Sequence, residues 1–347
     1  MNQVLISQFD VGLFDLDGVC YLGKEAIPFA PESISEAVRM GLKQAYVTNN
    51  ASRSPAVVAE QLESLGIPAP AESVVNSAQV GSRMLADHVA PGSKILVLGA
   101  QALRDEVTAR GLVVVDSADD HPAAVIQGFY PEANWADLSE AALAIRAGAL
   151  YVCTNLDATI PRERGLMVGN GSLARAISNS TGVTPLSAGK PEPEIFHIAV
   201  KMLNARNPLA IGDNLDTDIQ GAVSAGVPVL HVLTGLASAR DICVAPVHQR
   251  PTYLADDLRV MLEPYPEIVV DGDTVTAGGY SARWTGAAFE LRNGEGGLVT
   301  LGGSDVTLSL NAYRALAHAA WIAADCGVSE EQLSAAVPNL TVSRDYA

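Results

Sequence analysis

Val11-Gly12-Leu13-Phe14-Asp15-Leu16-Asp17-Gly18 places two carboxylates, two residues apart, where an apolar run breaks into a glycine turn. A buried strand that ends this way needs solvent or a cation, because an unpaired charge inside a protein is very costly. Three further segments carry the polar groups such a site needs: Ala45-Tyr46-Val47-Thr48-Asn49-Asn50, Ala188-Gly189-Lys190-Pro191, and Ala210-Ile211-Gly212-Asp213 continuing to Asp218. In an open parallel sheet all strands point one way, and ligands bind outside their carboxyl ends. The four segments are therefore expected to converge, although they are far apart in the chain.

Taken together and in this order, Asp15-Leu16-Asp17, Thr48, Lys190 and Gly212-Asp213 followed by Asp218 resemble the four motifs of the haloacid dehalogenase-like hydrolase superfamily. Each piece alone is ordinary turn chemistry. The strand-then-turn context of every piece is what gives the match its weight. The resemblance implies that Asp15 is a nucleophile forming an aspartyl-phosphate, which divides one hard hydrolysis into two easier displacements. It gives Asp17 the general acid and base role, and assigns Thr48, the Asn49 amide and Lys190 to the phosphoryl oxygens. Gly18 and Asn214 are further implied contacts to the phosphate or substrate.

The implied cofactor is magnesium, a hard cation that takes carboxylate and carbonyl oxygens and also binds substrate phosphate. Its ligands by the family pattern are the Asp15 side chain, the Asp17 main-chain carbonyl and the Asp213 side chain, with Asp218 behind them through a water. For Lys190 a solvated surface position is the commoner fate of any one lysine. Its place between Gly189 and Pro191-Glu192-Pro193, opening a helix over Glu194–Leu203, favours the functional reading.

Periodicity and breakers give an α/β chain. Residues 1–77 alternate strand and helix: strand 11–15, helix 32–40, strand 44–48, helix 55–65, and a short strand near 73–75. A second alternating unit follows, with strand 94–98, helix 101–110, strands 112–115 and 123–128, helix 137–147 and strand 150–154. Residues 190–262 then resume the first pattern with a helix, strand Leu209–Gly212, helix Thr217–Ala225 and strand Val227–Val232. The expected architecture is a doubly wound, parallel-sheet, Rossmann-like core split between 1–77 and 187–262, with an inserted α/β cap over 78–186.

An insert placed between the Thr48 and Lys190 motifs resembles the cap of the subgroup that includes 4-nitrophenyl, phosphoglycolate and pyridoxal phosphatases. Two stretches carry this likeness: Thr154-Asn155-Leu156-Asp157-Ala158-Thr159-Ile160-Pro161 and Gly169-Asn170-Gly171-Ser172. Asn155 and Asp157 either reach substrate hydroxyls, as matching positions do in that subgroup, or form an Asx turn; both readings stand. Gly169-x-Gly171 before a helix over Ser172–Ser180 reads as the hinge returning to the core rather than an anion site at a helix start. Arg162 and Arg164 are expected in solvent, with closure on an anionic substrate as the alternative.

Beyond Pro264-Tyr265-Pro266, residues 267–347 read as a small α+β module: strands Ile268–Val270, Thr274–Thr276, Ala288–Leu291 and Leu298–Leu301, then helices Leu308–Cys326 and Ser329–Val337. A phosphatase core with such a module resembles bacterial glycerol-3-phosphate phosphatases whose tail is acetyltransferase-like. Arg292-Asn293-Gly294-Glu295-Gly296-Gly297 has the wrong spacing for an acetyltransferase pyrophosphate loop, so a regulatory or assembly role is expected for the tail.

A formal net charge of −17 over 347 residues disfavours nucleic acid and anionic membranes as partners. The partner is expected to be a small phosphorylated metabolite, and a homodimer is left open. Cys20, Cys153, Cys243 and Cys326 form no Cys-x-x-Cys pair, so neither a zinc site nor a disulfide framework is expected and a reduced cytoplasm suits the chain. Cys20, five residues past Asp15, is either an oxidation-sensitive thiol or a small buried hydrophobe. No leader pattern opens the sequence, and no apolar run reaches membrane-helix length.

The expected activity is magnesium-dependent hydrolysis of a phosphomonoester, with glycerol 3-phosphate first and 2-phosphoglycolate, pyridoxal 5′-phosphate or broad small phosphomonoesters as alternatives. A phosphomutase, or a non-catalytic ligand sensor built on the same core, are the rivals.

Overall fold

Strand Val11–Phe14 is buried along its whole length, as a continuous apolar run in a sheet covered on both faces must be. The structure, a computed structural model, describes residues 3–162 and 164–344. It packs as two units: one of 1–22, 26–43 and 207–347, the other of 23–25 and 44–206. The expected cap limits at 77/78 and 186/187 both fall inside the second unit. Glu163, the terminal residues 1–2 and 345–347, and the side chains of Pro161 and Arg162 lie outside what is described.

In the first unit, Val11–Phe14 pairs in parallel with Pro208–Gly212, with Phe14 opposite Ile211. Val229–Val232 and Tyr253–Ala255 extend this sheet, also in parallel. Asp15 and Asp213 thus leave the carboxyl ends of neighbouring strands. The segment read as helix from Thr217 opens instead as a π-type turn over Leu215–Ile219 and runs into the short helix Gln220–Ser224. Asn214 caps it, its side chain accepting from the Asp216 N–H.

The second unit holds the parallel pair Lys43–Thr48 and Val74–Asn76 and a five-stranded sheet. That sheet is parallel throughout, in the order Leu186–Ser187, Leu150–Cys153, Ala124–Gln127, Lys94–Leu98, Val113–Val115. Its strands alternate faces. Ile95 and Val97 pack with Leu85, Leu103 and Val107 on one side, while Leu96 and Leu98 pack with Ala141, Ile145 and Ile177 on the other. Helices therefore cover both faces, as the doubly wound expectation requires. Helix Ser77–His88 and the hairpin Thr159–Arg162/Gly165–Val168 are additions that periodicity did not reveal.

The C-terminal part is a five-stranded antiparallel meander, Ile268–Asp271, Thr274–Ala277, Tyr280–Trp284, Phe289–Arg292 and Leu298–Val299. Its buried residues Val275, Ala277, Ala282, Phe289 and Leu291 occupy alternating positions along the strands, and helix Leu310–Asp325 packs on those strands. Leu308 belongs to strand Asp305–Ser309, paired in parallel with Asn339–Ser343, and the helix begins only after Ser309, whose side chain accepts from the Ala312 N–H. Arg292–Gly297 is the turn joining two strands, closed by Asn293 Oδ1 accepting from the Glu295 and Gly297 N–H groups.

Among the described residues no helix is long and apolar enough to cross a membrane. No cysteine is paired, and Cys20, Cys153 and Cys243 are buried while Cys326 is exposed.

Candidate active site

Two clusters of polar groups gather the residues singled out in the sequence, one in each unit. In the first, carboxylate oxygens of Asp15, Asp213 and Asp218 all lie within 4.8 Å of one another. Asp213 and Asp218 are buried and Asp15 is half-buried. Three carboxylates packed this closely repel one another, and burial removes the water that would screen them. Their all-oxygen donor set fits a hard divalent cation and not a thiolate-seeking metal.

Local bonds aim these groups. Asp218 Oδ2 accepts from the Asp213 N–H at 3.3 Å and the Asn214 N–H at 3.2 Å. Asp213 Oδ2 accepts from the Leu236 N–H at 2.7 Å. Gly18 sits at φ +90°, and a Cβ there would stand 2.5 Å from Asp213 Oδ2, so no other residue fits this turn. Asp17 is exposed and is not a member of the carboxylate cluster. Beneath Asp213, the buried His231 holds Nε2 at 3.2 Å from the Asp213 carbonyl oxygen, and burial pushes its pKa down to about 4. Its ring is neutral, so Nε2–H donates to that carbonyl.

Cys20 Sγ donates to the Asp15 carbonyl oxygen at 3.2 Å, and burial raises its pKa well above the ordinary thiol value. It is a protonated, enclosed thiol, which agrees with the reading of a small buried hydrophobe.

The second cluster is centred on Asn49. Its Oδ1 accepts from the Lys190 N–H at 2.8 Å, and its Nδ2 donates to the Lys190 carbonyl at 3.0 Å and to the Asp157 carboxylate at 3.1 and 3.2 Å. Lys190 is buried, with Nζ donating to the Val47 carbonyl at 3.0 Å. Thr48 is buried too, its hydroxyl accepting from the Asn50 N–H at 3.1 Å. Asn155 uses both ends of its amide on the fold: Nδ2 donates to the Asn49 carbonyl at 2.7 Å and Oδ1 accepts from the Asp157 N–H at 3.2 Å. That second bond is the Asx turn. At Gly169-Asn170-Gly171 the Gly171 N–H donates to the Asp157 carbonyl at 2.9 Å, so this helix start is engaged by the neighbouring loop.

Two family models match the chain: a haloacid dehalogenase-like hydrolase model over residues 12–113 and a HAD-hydrolase-like model over 187–261. The D-glycerol 3-phosphate phosphatase of Mycobacterium tuberculosis is 45% identical over 282 residues, covering 78% of this chain and 79% of the relative. The chain belongs to the haloacid dehalogenase-like hydrolases.

Solved structures of a glycerol phosphate phosphatase from Mycobacterium tuberculosis, in complex with calcium and with magnesium, superpose with TM-scores of 0.83 and 0.81. Both are 37% identical and cover 99% of this chain and 96% of theirs. A thermostable NPPase from Geobacillus stearothermophilus gives a TM-score of 0.66 at 34% identity, covering 74% of this chain and 98% of its own.

Within this hydrolase, several supporting groups escaped the motif reading. Tyr151 donates to Gln127 Oε1, Gln127 Nε2 donates to Asn170 Oδ1 at 3.1 Å, and Asn170 Nδ2 donates to the Asn155 carbonyl at 2.8 Å. All four are buried, and with the Asn155 bond to Asn49 they form a continuous polar chain through the second unit. A glutamine closing the apolar run Ala123-Ala124-Val125-Ile126 was the available signal. His231 and Leu236 gave none, since one lies inside a strand and the other acts through its backbone.

Proposed function

We propose that this chain is a magnesium-dependent phosphatase that acts on glycerol 3-phosphate through an aspartyl-phosphate on Asp15. The observation that carries the reading is the meeting of Asp15, Asp213 and Asp218 at the ends of adjacent parallel strands. The phosphatase names of the relatives support the reaction class, and the relative solved with magnesium supports the ion.

Asp15, Asp213 and the Asp17 carbonyl would hold the ion, with Asp218 fixing the loop behind it. Bound there, magnesium supplies positive charge against the carboxylates and the substrate phosphate. Asp15 attacks phosphorus as the bond to the leaving alcohol breaks, and the Asp17 carboxylic acid gives that alcohol its proton. Asp17 then takes a proton from water as it attacks the aspartyl-phosphate, which frees Asp15 and inorganic phosphate. Thr48, Lys190 and the Asn49 amide serve the phosphoryl oxygens, Lys190 by charge. Asp157 and Gly18 are further proposed contacts to the substrate or its phosphate, while Asn155 and Asn214 act by shaping their loops.

Glycerol 3-phosphate leads because a structural likeness that extends over 99% of this chain is to a glycerol phosphate phosphatase. Broader action on small phosphomonoesters is the second reading, favoured by an acid sugar phosphatase of Staphylococcus saprophyticus at 38% identity over 72% of this chain.

The test is phosphate release from glycerol 3-phosphate, 2-phosphoglycolate, pyridoxal 5′-phosphate and 4-nitrophenyl phosphate, with and without magnesium, beside Asp15→Asn. Metal-dependent release that is greatest on glycerol 3-phosphate and lost in the variant is expected. Release that survives in Asp15→Asn removes the nucleophile assignment, and equal rates on all four compounds favour the broad reading.

A further inference from the structure

Neither family model extends past residue 261, so neither explains what the C-terminal domain does for the hydrolase. The loop after strand Val229–Val232 connects the two. Thr234 Oγ1 donates to the Gly18 carbonyl at 2.6 Å, the Leu236 N–H donates to Asp213 Oδ2 at 2.7 Å, and the Ala237 N–H donates to the Asp213 carbonyl at 3.1 Å. A Cβ on Gly235 would stand 1.8 Å from Asp213 Oδ2, so the loop backbone lies directly on that carboxylate. Ser238 then caps the short helix Ala239–Cys243.

This helix is gripped by the C-terminal domain. Arg240 Nε donates to the Val337 carbonyl at 2.9 Å and its Nη2 to the Ser334 carbonyl at 2.6 Å, which satisfies carbonyls at the end of helix Glu330–Ala336. Trp321 Nε1 donates to the Ile242 carbonyl at 2.8 Å, closing the other end of the short helix. Ala239, Ile242 and Cys243 are buried, and the helix packs on Leu310–Asp325 and Asn339–Ser343. A five-residue helix has little stability of its own, so its position is set by these contacts. Only Ala237, Ser238 and Ala239 separate Arg240 from the N–H that holds Asp213 Oδ2.

We infer that the C-terminal domain braces the metal carboxylate Asp213 through Arg240, making Arg240 a positioning residue for magnesium binding. The inference rests on the proposed magnesium site. A residue one layer beyond the groups that hold a ligand acts more weakly than those groups, whose loss costs about 10–100-fold in metal affinity. Arg240→Ala should therefore weaken magnesium binding by about three- to tenfold.

The experiment is calorimetric titration of magnesium chloride into the full chain, with thermal unfolding followed by circular dichroism. Four variants are compared: Arg240→Ala, Arg240→Lys, Trp321→Phe and Arg344→Ala. Arg344 ties the same domain to Asp256, Asp257 and Glu263 without touching the short helix, so it reports general loosening. Expected are weaker binding in Arg240→Ala, recovery to within about twofold in Arg240→Lys, and a smaller weakening in Trp321→Phe. Arg344→Ala is expected to melt earlier and to bind magnesium as the wild type does.

If Arg240→Ala does not fold, Trp321→Phe decides by the same reading. Wild-type affinity in folded Arg240→Ala or Trp321→Phe overturns the brace, and so does equal weakening in Arg344→Ala. A wild-type chain that binds no magnesium removes the metal site itself, and the brace with it.

Discussion

Asn49 and Lys190, 141 residues apart, exchange two hydrogen bonds: Asn49 Oδ1 accepts from the Lys190 N–H and Asn49 Nδ2 donates to the Lys190 carbonyl. One side-chain amide thus satisfies both backbone groups of a buried lysine, as a neighbouring strand would. Asn49→Asp keeps the acceptor, loses the donor and sets a carboxylate against Asp157. It should cost about 1–3 kcal/mol in urea unfolding, the range for a buried polar group left without its partner. Asn49→Ala should cost a similar amount, and a change under about 0.5 kcal/mol in both would show that the pair carries little.

The Tyr151–Gln127–Asn170–Asn155 chain predicts non-additivity. Breaking one member leaves a buried neighbour unsatisfied, whereas removing adjacent partners together relieves it. Gln127→Leu and Asn170→Leu should each destabilise by about 1–3 kcal/mol, and the double variant by clearly less than their sum. Equilibrium denaturation of the four proteins checks this; strict additivity would mean that the two amides are independent.

Two histidines set a pH dependence. Burial lowers both His231 and His318 to about 4 in the folded protein, against about 6.5 when unfolded. Between those values the unfolded chain binds more protons, so stability is full above pH 6.5 and falls as pH drops towards 4. His318 lies with its ring centroid 4.5 Å from that of Trp321, in an edge-on contact. His318→Phe should flatten the slope of unfolding free energy between pH 7 and pH 4.5, and a slope as steep as the wild type would exclude His318 as a source.

Close packing of Asp15, Asp213 and Asp218 predicts opposite effects with and without metal. In a chelator, Asp213→Asn removes one of three neighbouring negative charges while its amide oxygen still accepts from Leu236. Its melting temperature should match or exceed the wild type's there. Adding magnesium should raise the wild-type melting temperature and not that of the variant. A variant less stable than the wild type in chelator would argue against repulsion in the cluster.

Thiol chemistry should distinguish the cysteines. Burial raises Cys20 and Cys243 and pushes Cys153 up to about 12, while Cys326 is exposed. An aromatic disulfide reagent should therefore titrate one thiol in the folded chain and four after denaturation. Rapid reaction of a second thiol in the folded protein would return Cys20 to consideration as a redox-sensitive residue.

The family, the parallel α/β character and the identity of the polar strand ends are all legible in the order of the residues. These are local signals: an apolar run that stops at Asp15-Leu16-Asp17-Gly18, or a lysine between Gly189 and Pro191, is written within a few residues. The two-residue Gly278-Gly279 connection between strands is a local hairpin signal of the same kind, and it places strand Tyr280–Trp284 after Thr274–Ala277. The remainder depends on partners distant in the chain. Strand Asp305–Ser309 exists because Asn339–Ser343 lies beside it, and without that partner Leu308 reads as the start of the following helix. The Asn155 amide meets the Asn49 carbonyl, 106 residues away, a partner that no local pattern announces. Asp213 is held by backbone N–H groups of Leu236 and Ala237, which every residue but proline carries, so sequence has no letter for them. Hydrogen bonding of the main chain is blind to side-chain identity, and only the fold selects which of those groups meets a carboxylate.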